Sequence, residues 1–227
     1  MTELQNPFPY TLLRSNRQTL TLELNPKGAL TVYAPQKMPL KQIETVLREK
    51  EPWIRRKRTL LMERAEVLDR FSPAPGGRLP YLGQELTMSA TDSARPFLQE
   101  GILFLPRQGD PAANALAWFT QNARQVLPIY VDKWARTMNV FPSSLAFGHA
   151  RHRWGSMSST GSLRLNVALL HCPPRFIDYV VVHELCHRLH PDHSPAFHAS
   201  VESVLPDAPA LRAQGKDLSF LLELLRP

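Results

Sequence analysis

The chain has 227 residues, 43% of which are hydrophobic, and its 27 lysines and arginines against 20 aspartates and glutamates give a net charge of +7. This length is ample for a closed core in one large domain or two small ones, and the sequence has neither an apolar run long enough to span a membrane nor a secretory signal at residues 1–7. Because only Cys172 and Cys186 occur, no disulfide framework is expected, and we predict a soluble, cytoplasmic protein that does not associate with membranes.

The first third of the chain alternates apolar and polar residues in short segments. This pattern predicts three strands, at residues 10–13, 19–24 and 30–34. The turn residues Pro26-Lys27-Gly28 before the last strand indicate a meander or a hairpin. Two helices are predicted next, at residues 39–50 and 52–69, with Pro52 as a restart or kink. The four basic residues at 55–58 are interpreted as a solvated helix face, with a phosphate-binding patch as the alternative.

The middle of the chain begins with a loop rich in proline and glycine at residues 71–80. Asp110 and Pro111 then have the pattern of an N-cap and the first residue of a helix, which carries apolar residues at helical spacing to Trp134 and includes Pro128 as a kink. Four more strands are predicted in this region, at residues 85–88, 102–105, 145–153 and 163–169.

A helix predicted after Pro173-Pro174 carries the sequence His183-Glu184-Leu185-Cys186-His187. Its apolar residues recur at helical spacing and Pro191 ends it, so the motif is expected inside a helix of about four to five turns. Two histidines at i and i+4 share a face, and both rings can reach one metal ion. Glu184 points to the flank, where it can hydrogen-bond a metal-bound water without being a ligand. Zinc hydrolases of the zincin kind use this arrangement.

Three residues compete for the position of a third metal ligand. His193 precedes Ser194-Pro195, which has the pattern of an N-cap and first residue of a new helix, so a short, fixed turn would hold this histidine, and the geometry favours it. Glu202 and His190 are the alternatives, since a carboxylate from a later helix is the third ligand in other zincins. Cys186 is interpreted as a packing residue, because catalytic zinc keeps one position open for water.

Four segments in the second half of the chain together resemble one known family. They are Arg153-Trp154-Gly155-Ser156, Leu163-Arg164-Leu165-Asn166, the stretch from Ile177 to His187, and Asp192-His193-Ser194-Pro195-Ala196-Phe197. The family is the YgjP-like metallopeptidases, and the strands at 10–35 and Trp53-Ile54 are similar to it as well. More distantly, His193 followed by Phe197 is similar to the SprT-like and Wss1-like (WLM) proteases.

The resemblance implies zinc ligands at His183, His187 and His193 and a general acid/base at Glu184. This sequence departs from the family at two positions. Met157 stands where the family commonly has cysteine, so a thiol at this position is not essential here if the protein is active. His198 stands where the family usually has tryptophan.

Further polar residues near the motif have more than one interpretation. The segment from Trp154 to Asn166 is either a packed β-hairpin or a strand edge that pairs with an extended substrate. Arg153 and His152 are interpreted as exposed or ion-paired, with donation to a substrate oxyanion as the alternative. Two other histidines, His149 and His171, are interpreted as ordinary polar residues.

These observations predict an α+β fold in which a zincin-like unit, an active-site helix against a small mixed sheet, is joined to a β-rich N-terminal part. One domain is expected over residues 10–224, with residues 10–106 as the β-rich part and 107–227 as the catalytic part. The predicted function is hydrolysis of peptide bonds in a peptide or protein substrate, with Zn²⁺ as cofactor. The alternatives are a DNA-associated protease of the SprT or Wss1 kind, a nucleic-acid-binding protein with structural zinc, and a zinc-binding scaffold without turnover.

Overall fold

The structure, a computed structural model, describes residues 8–25 and 28–225. The chain divides into two units, Met1–Asp69 and Arg70–Pro227. Within the described residues there are six α-helices and three small mixed sheets, which confirms the α+β class. The extent of a single domain over residues 10–224 and its division at residue 106 stay predictions.

The first unit consists of a three-stranded sheet and two helices. Its elements are β1 Tyr10–Ser15, β2 Thr21–Leu24, β3 Leu30–Pro35, α1 Leu40–Glu49 and α2 Glu51–Asp69. The strand order is β1-β3-β2, with β1 parallel and β2 antiparallel to β3. The hairpin prediction is therefore correct for β2 and β3, whereas a meander is wrong. The strand with the fully buried row Leu30, Val32 and Ala34 takes the centre of the sheet. Pro26 and Lys27 of the predicted turn lie outside the described residues.

The basic residues at 55–58 lie on α2, which restarts the helix around Pro52 as predicted. Arg55 forms an ion pair with Glu51 at 2.8 Å and lies over the ring of Phe8 at 4.9 Å. The charge of Arg55 is therefore partly neutralised within its own unit, which favours the interpretation of this residue as part of a solvated helix face.

The second unit contains two sheets and four helices. Its elements are β4 Arg78–Tyr81, β5 Gln84–Thr91, β6 Phe97–Gln99, β7 Ile102–Pro106, α3 Pro111–Met138, β8 Ser144–Gly148, β9 Gly155–Met157, β10 Ser162–Asn166, α4 Pro174–Cys186, α5 Pro195–Val204 and α6 Ala208–Leu218, with 3₁₀ turns at Val167–His171 and Ser219–Glu223. The sheet orders are β4-β5-β7-β6 and β8-β10-β9. Strands β4 and β6 were not expected, because β4 contains Pro80 and β6 has only three residues.

Asn166 explains why two predicted strands are shorter than expected. The strand predicted at 163–169 ends at this residue, because its side chain accepts a hydrogen bond from the backbone N–H of Ala168 at 3.0 Å and so caps the 3₁₀ turn. The strand predicted at 145–153 ends at Gly148, and the Asn166 amide donates to the carbonyl oxygens of Ala150 and Arg153 at 2.8 and 2.9 Å. Residues 149–154 are therefore a loop held by one buried side chain.

Asp178 joins α4 to its neighbouring helix α3. Its buried carboxylate accepts hydrogen bonds from Trp134 Nε1 at 2.6 Å and Lys133 Nζ at 3.1 Å. Arg175, one turn earlier on α4, binds Asp207 at the start of α6. Polar contacts in addition to the apolar core thus fix the helix that carries the metal-binding motif.

His171 is buried, which corrects its interpretation as an ordinary polar residue. Only 3% of its surface is exposed, and its Nδ1 lies 2.8 Å from the carbonyl oxygen of Pro80, to which it donates a hydrogen bond. Its ring packs on Phe119 with the centroids 4.5 Å apart. Burial lowers the pKa of His171 to about 4, against an ordinary value of 6.5, although the bond to Pro80 acts in the opposite direction.

This burial predicts a loss of stability in acid. The unfolded chain binds a proton at His171 below pH 6.5, whereas the folded chain binds it only near pH 4. The stabilisation by the neutral ring is therefore complete above pH 6.5 and is lost as the pH falls towards 4. Over this interval the free energy of unfolding should fall by up to about 3 kcal/mol more in the parent than in His171→Gln. Urea unfolding of both metal-free proteins across this range measures the difference. Equal losses in the two proteins would contradict the assignment.

Candidate metal centre

Helix α4 ends inside the His183 to His187 motif. Its 13 residues make fewer than four turns, so the predicted length of four to five turns is wrong, and His187 is the C-cap. The backbone N–H groups of His187 and Arg188 bond to the carbonyl oxygens of Glu184 and Leu185 at 3.2 and 3.0 Å. These bonds span three residues, which tightens the chain into turns before Pro191 is reached.

The structure brings His183, His187 and His193 together in one cluster, the histidine triad. One ring nitrogen of each lies within 4.8 Å of the others, and the Nε2 atoms of His183 and His193 are 3.1 Å apart. Phe197, fully buried on α5, contacts all three rings with centroid distances of 4.6 to 4.9 Å. A single aromatic side chain therefore supports the whole triad from one side.

The turn after α4 positions His193 through local polar contacts. Asp192 Oδ1 accepts a hydrogen bond from the backbone N–H of Ser194 at 3.2 Å, and Ser194 Oγ caps α5 by accepting from Phe197 N–H at 3.4 Å, as the sequence predicts. His187 Nδ1 donates to the carbonyl oxygen of His190 at 3.1 Å, which leaves its Nε2 available to a metal ion.

The competing ligands are not part of this cluster, and His183, His187 and His193 form the one group of three or more suitable ligands found in residues 8–25 and 28–225. The ring of His190 instead contacts Ser200 Oγ at 2.9 Å, and Glu202 is exposed on α5. Burial raises the pKa of the Cys186 thiol to about 11, so this side chain is protonated.

His198 also lies outside the triad, and it is adjacent to Arg212 of α6. Its ring centroid is 6.3 Å from that of His193, and its ring nitrogens lie 3.1 and 3.3 Å from the Arg212 guanidinium. Because a guanidinium only donates, the nearest nitrogen of His198 acts as the acceptor.

The donor set of the triad fits a transition-metal ion. Three imidazoles suit zinc, copper, iron or nickel, and they would leave a fourth coordination position open, as in catalytic zinc sites. Burial, followed by the neighbouring histidines, lowers the pKa of His183 to about 3, and burial also lowers the pKa of His187. Both rings are therefore held in the neutral form that binds a metal.

Glu184 lies beside the triad with its carboxylate buried against β9. Its surface is 7% exposed, and the backbone N–H of Met157 donates a hydrogen bond to its carboxylate. Burial raises the pKa of Glu184 to about 7, while the Met157 bond and the charge of Arg153 act to lower it. Glu184 is not one of the three residues that could hold a metal ion, so its carboxylate is available to exchange a proton.

Gly155 provides the space in which the Glu184 side chain lies. A Cβ atom at this position would be 2.8 Å from Glu184 Cγ and 2.9 Å from Oε1. Its φ is not among the positive values, so the requirement for glycine is close approach and not backbone conformation. The sequence pattern Trp-Gly-Ser does not reveal this role, because the two residues are 29 positions apart in the chain.

On the hypothesis that Glu184 is the general acid/base of a peptidase, Gly155→Ala is expected to displace its carboxylate and to lower the rate of peptide hydrolysis by about 10²-fold, since a shift of about 1 Å in a catalytic group has that effect. The metal content should remain that of the parent, because the three histidines are not touched. Steady-state kinetics and metal analysis of the same preparation test this. Loss of zinc together with activity would show that the variant disturbs the fold instead.

Tyr179 and Arg212 also border the triad, although neither was expected there. The ring centroids of Tyr179 and His183 are 5.7 Å apart, and His183 follows Tyr179 by four residues on the same face of α4. Burial raises the pKa of Tyr179, with the charge of Arg212 lowering it and that of Glu184 raising it. The i, i+4 spacing of Tyr179 and His183 predicts that Tyr179 lies beside the triad, whereas no local pattern predicts the same for Arg212.

Comparison with known proteins agrees with this geometry. The model of the YgjP-like metallopeptidase domain matches residues 18–216. The chain therefore belongs to the YgjP-like family of metallopeptidase-domain proteins, as the sequence resemblance indicated. Such a domain implies a metal ion and a peptide or protein substrate. No curated protein and no solved structure gave a significant match. None of the described helices is both long and apolar enough to cross a membrane.

Proposed function

We propose that the protein is a zinc-dependent peptidase in which His183, His187 and His193 bind the metal and Glu184 is the general acid/base. The observation that carries the proposal is the convergence of three imidazole nitrogens within 4.8 Å, next to a buried carboxylate that is not in the metal-binding group. The family match supports the reaction class.

The side chains at the centre have separable tasks in this reaction. When bound, a zinc ion supplies a Lewis acid that activates water at neutral pH and polarises a carbonyl group. Glu184, in its carboxylate form, accepts the proton of the attacking water on one of its oxygens. The same group then donates that proton to the nitrogen of the departing amine.

Two further contacts orient the groups that react. The Met157 N–H fixes the Glu184 carboxylate against β9, so the proton is exchanged at a defined place. His187 is oriented by the His190 carbonyl oxygen, and a fixed second partner of this kind makes an imidazole a better ligand. Phe197 packs against one side of the triad and holds the three rings in place.

Metal removal tests the proposal directly. The purified protein is expected to contain about one zinc ion per chain and to hydrolyse a mixture of quenched-fluorescent peptides. Dialysis against a chelator should abolish hydrolysis, and zinc should restore it whereas magnesium should not, because imidazole ligands disfavour magnesium. Full activity in protein that has been shown to be metal-free would refute the proposal.

A further inference from the structure

A cavity of about 420 Å³ lies at the sheet formed by β8, β10 and β9. The loop after β8, the end of β10 and the start of β9 form its walls. Gly155 lines this cavity and is also the residue against which the Glu184 side chain lies. A group bound in the cavity is therefore separated from the reacting carboxylate by a single strand.

The charged side chains of this cavity are all basic. Arg153 and Arg164 line it, and no aspartate or glutamate does. Neither arginine lies within 4.0 Å of a carboxylate in the part of the chain that the structure describes, whereas Arg78, Arg107 and Arg175 each pair with one. The charge of Arg153 acts at longer range on the Glu184 carboxylate. The Arg164 guanidinium lies on the cavity wall, 3.3 Å from the position of a Cβ at Gly148.

The backbone that carries these charges is held in place. Besides its two side-chain bonds to the loop, Asn166 donates its backbone N–H to the carbonyl oxygen of Trp154 at 2.8 Å. The Trp154 ring packs edge-on against Phe176 of α4 with centroids 5.4 Å apart. The cavity therefore has fixed walls, from which two solvent-exposed side chains project, Arg153 from the loop and Arg164 from a paired strand.

We propose that this cavity binds a carboxylate group of the substrate, close to the bond that is cut. Arginine matches the planar carboxylate with paired N–H donors, and the volume is of the size that holds a small ligand group. The carboxylate belongs to the free C-terminus of a peptide or to the side chain of an aspartate or glutamate. The inference rests on the proposed function, since it assigns the cavity to the substrate of the same centre.

Peptide binding to the zinc-loaded Glu184→Gln protein tests the inference without turnover. Three forms of one labelled peptide are compared. The first is neutral and has an amidated C-terminus, and the second has a free C-terminal carboxylate. The third has an amidated C-terminus and one glutamate, which is placed at each central position in turn. Glutamine at the same positions is the matched neutral peptide. Fluorescence anisotropy at fixed salt should show that the C-terminal acid, a glutamate peptide or both bind about tenfold more tightly than the neutral match.

This preference should disappear in Arg153→Gln and Arg164→Gln and persist in Arg151→Gln, a nearby exposed arginine that does not line the cavity. Circular dichroism of each variant checks that it is folded. Equal binding of acidic and neutral peptides, or a preference that survives loss of both cavity arginines, would overturn the inference. Tighter binding of a single-stranded oligonucleotide by the same two arginines would also overturn it, in favour of phosphate.

The two proposals fail in distinguishable ways. If acidic and neutral peptides bind equally while the parent hydrolyses both and contains zinc, only the assignment of the cavity is lost. If the parent hydrolyses no peptide while Glu184→Gln still prefers acidic ones, the peptidase reaction is rejected and the carboxylate site remains.

Discussion

Glu184→Gln is expected to lower the rate of peptide hydrolysis by about 10²- to 10⁴-fold while the zinc content remains that of the parent. The amide has almost the shape of the carboxylate, and its oxygen can still accept the hydrogen bond from Met157 N–H. It cannot, however, take a proton from water at neutral pH. Steady-state kinetics with a quenched-fluorescent peptide, together with metal analysis of the same sample, measures both quantities.

Glu202→Gln is the matched control, because this glutamate is exposed on α5 and outside the metal-binding group. Its activity and zinc content should equal those of the parent. A Glu184→Gln protein that binds zinc and hydrolyses peptides as fast as the parent would rule out the mechanism. A parent protein that binds zinc but cuts no peptide would favour the scaffold alternative.

His193→Ala is expected to weaken zinc binding by more than about 10²-fold, because loss of a partner that only orients a ligand already costs 10- to 100-fold. The rings of His183 and His187 would remain on α4, but the ligand from the other direction would be missing. Competition with a chromophoric chelator at constant pH gives the dissociation constant. Urea unfolding of the metal-free variant should match the parent, since the His193 side chain is exposed.

His198→Ala provides the matched control for this change. It removes a neighbouring imidazole that contacts Arg212 and lies outside the triad, so zinc affinity should stay within a few-fold of the parent. A different result for His193→Ala would also identify the third ligand. If His193→Ala kept its zinc while Glu202→Ala lost it, the third ligand would be the carboxylate that the sequence left as an alternative.

The sequence could predict the elements of the site because their signals are local. Histidines at i and i+4 reach one ion, and Ser194-Pro195 begins α5 as the N-cap pattern indicates. The end of α4 was not predictable in the same way, since Pro191 sets only the last position at which the helix can stop. Bonds spanning three residues end it earlier, at Cys186.

Features that depend on distant residues were missed for a physical reason. The contact between Gly155 and Glu184 and the bonds from Asn166 to the loop at 150–153 join residues 13 to 29 positions apart. A single sequence records the residue types but not these pairings. The parallel pairing of β1 with β3 is a similar case, because strand periodicity gives the buried face and not the neighbour.

The early end of α4 has an electrostatic consequence for the proposed metal site. The aligned peptide dipoles of a helix leave about half a negative charge at its C-terminus, which stabilises a nearby cation by about 0.3–1 kcal/mol. Because the helix stops at Cys186, this partial charge lies at the level of His183 and His187. A helix continuing towards Pro191 would have moved it farther along the chain. The main chain of α4 therefore contributes to cation affinity in addition to the three imidazole nitrogens.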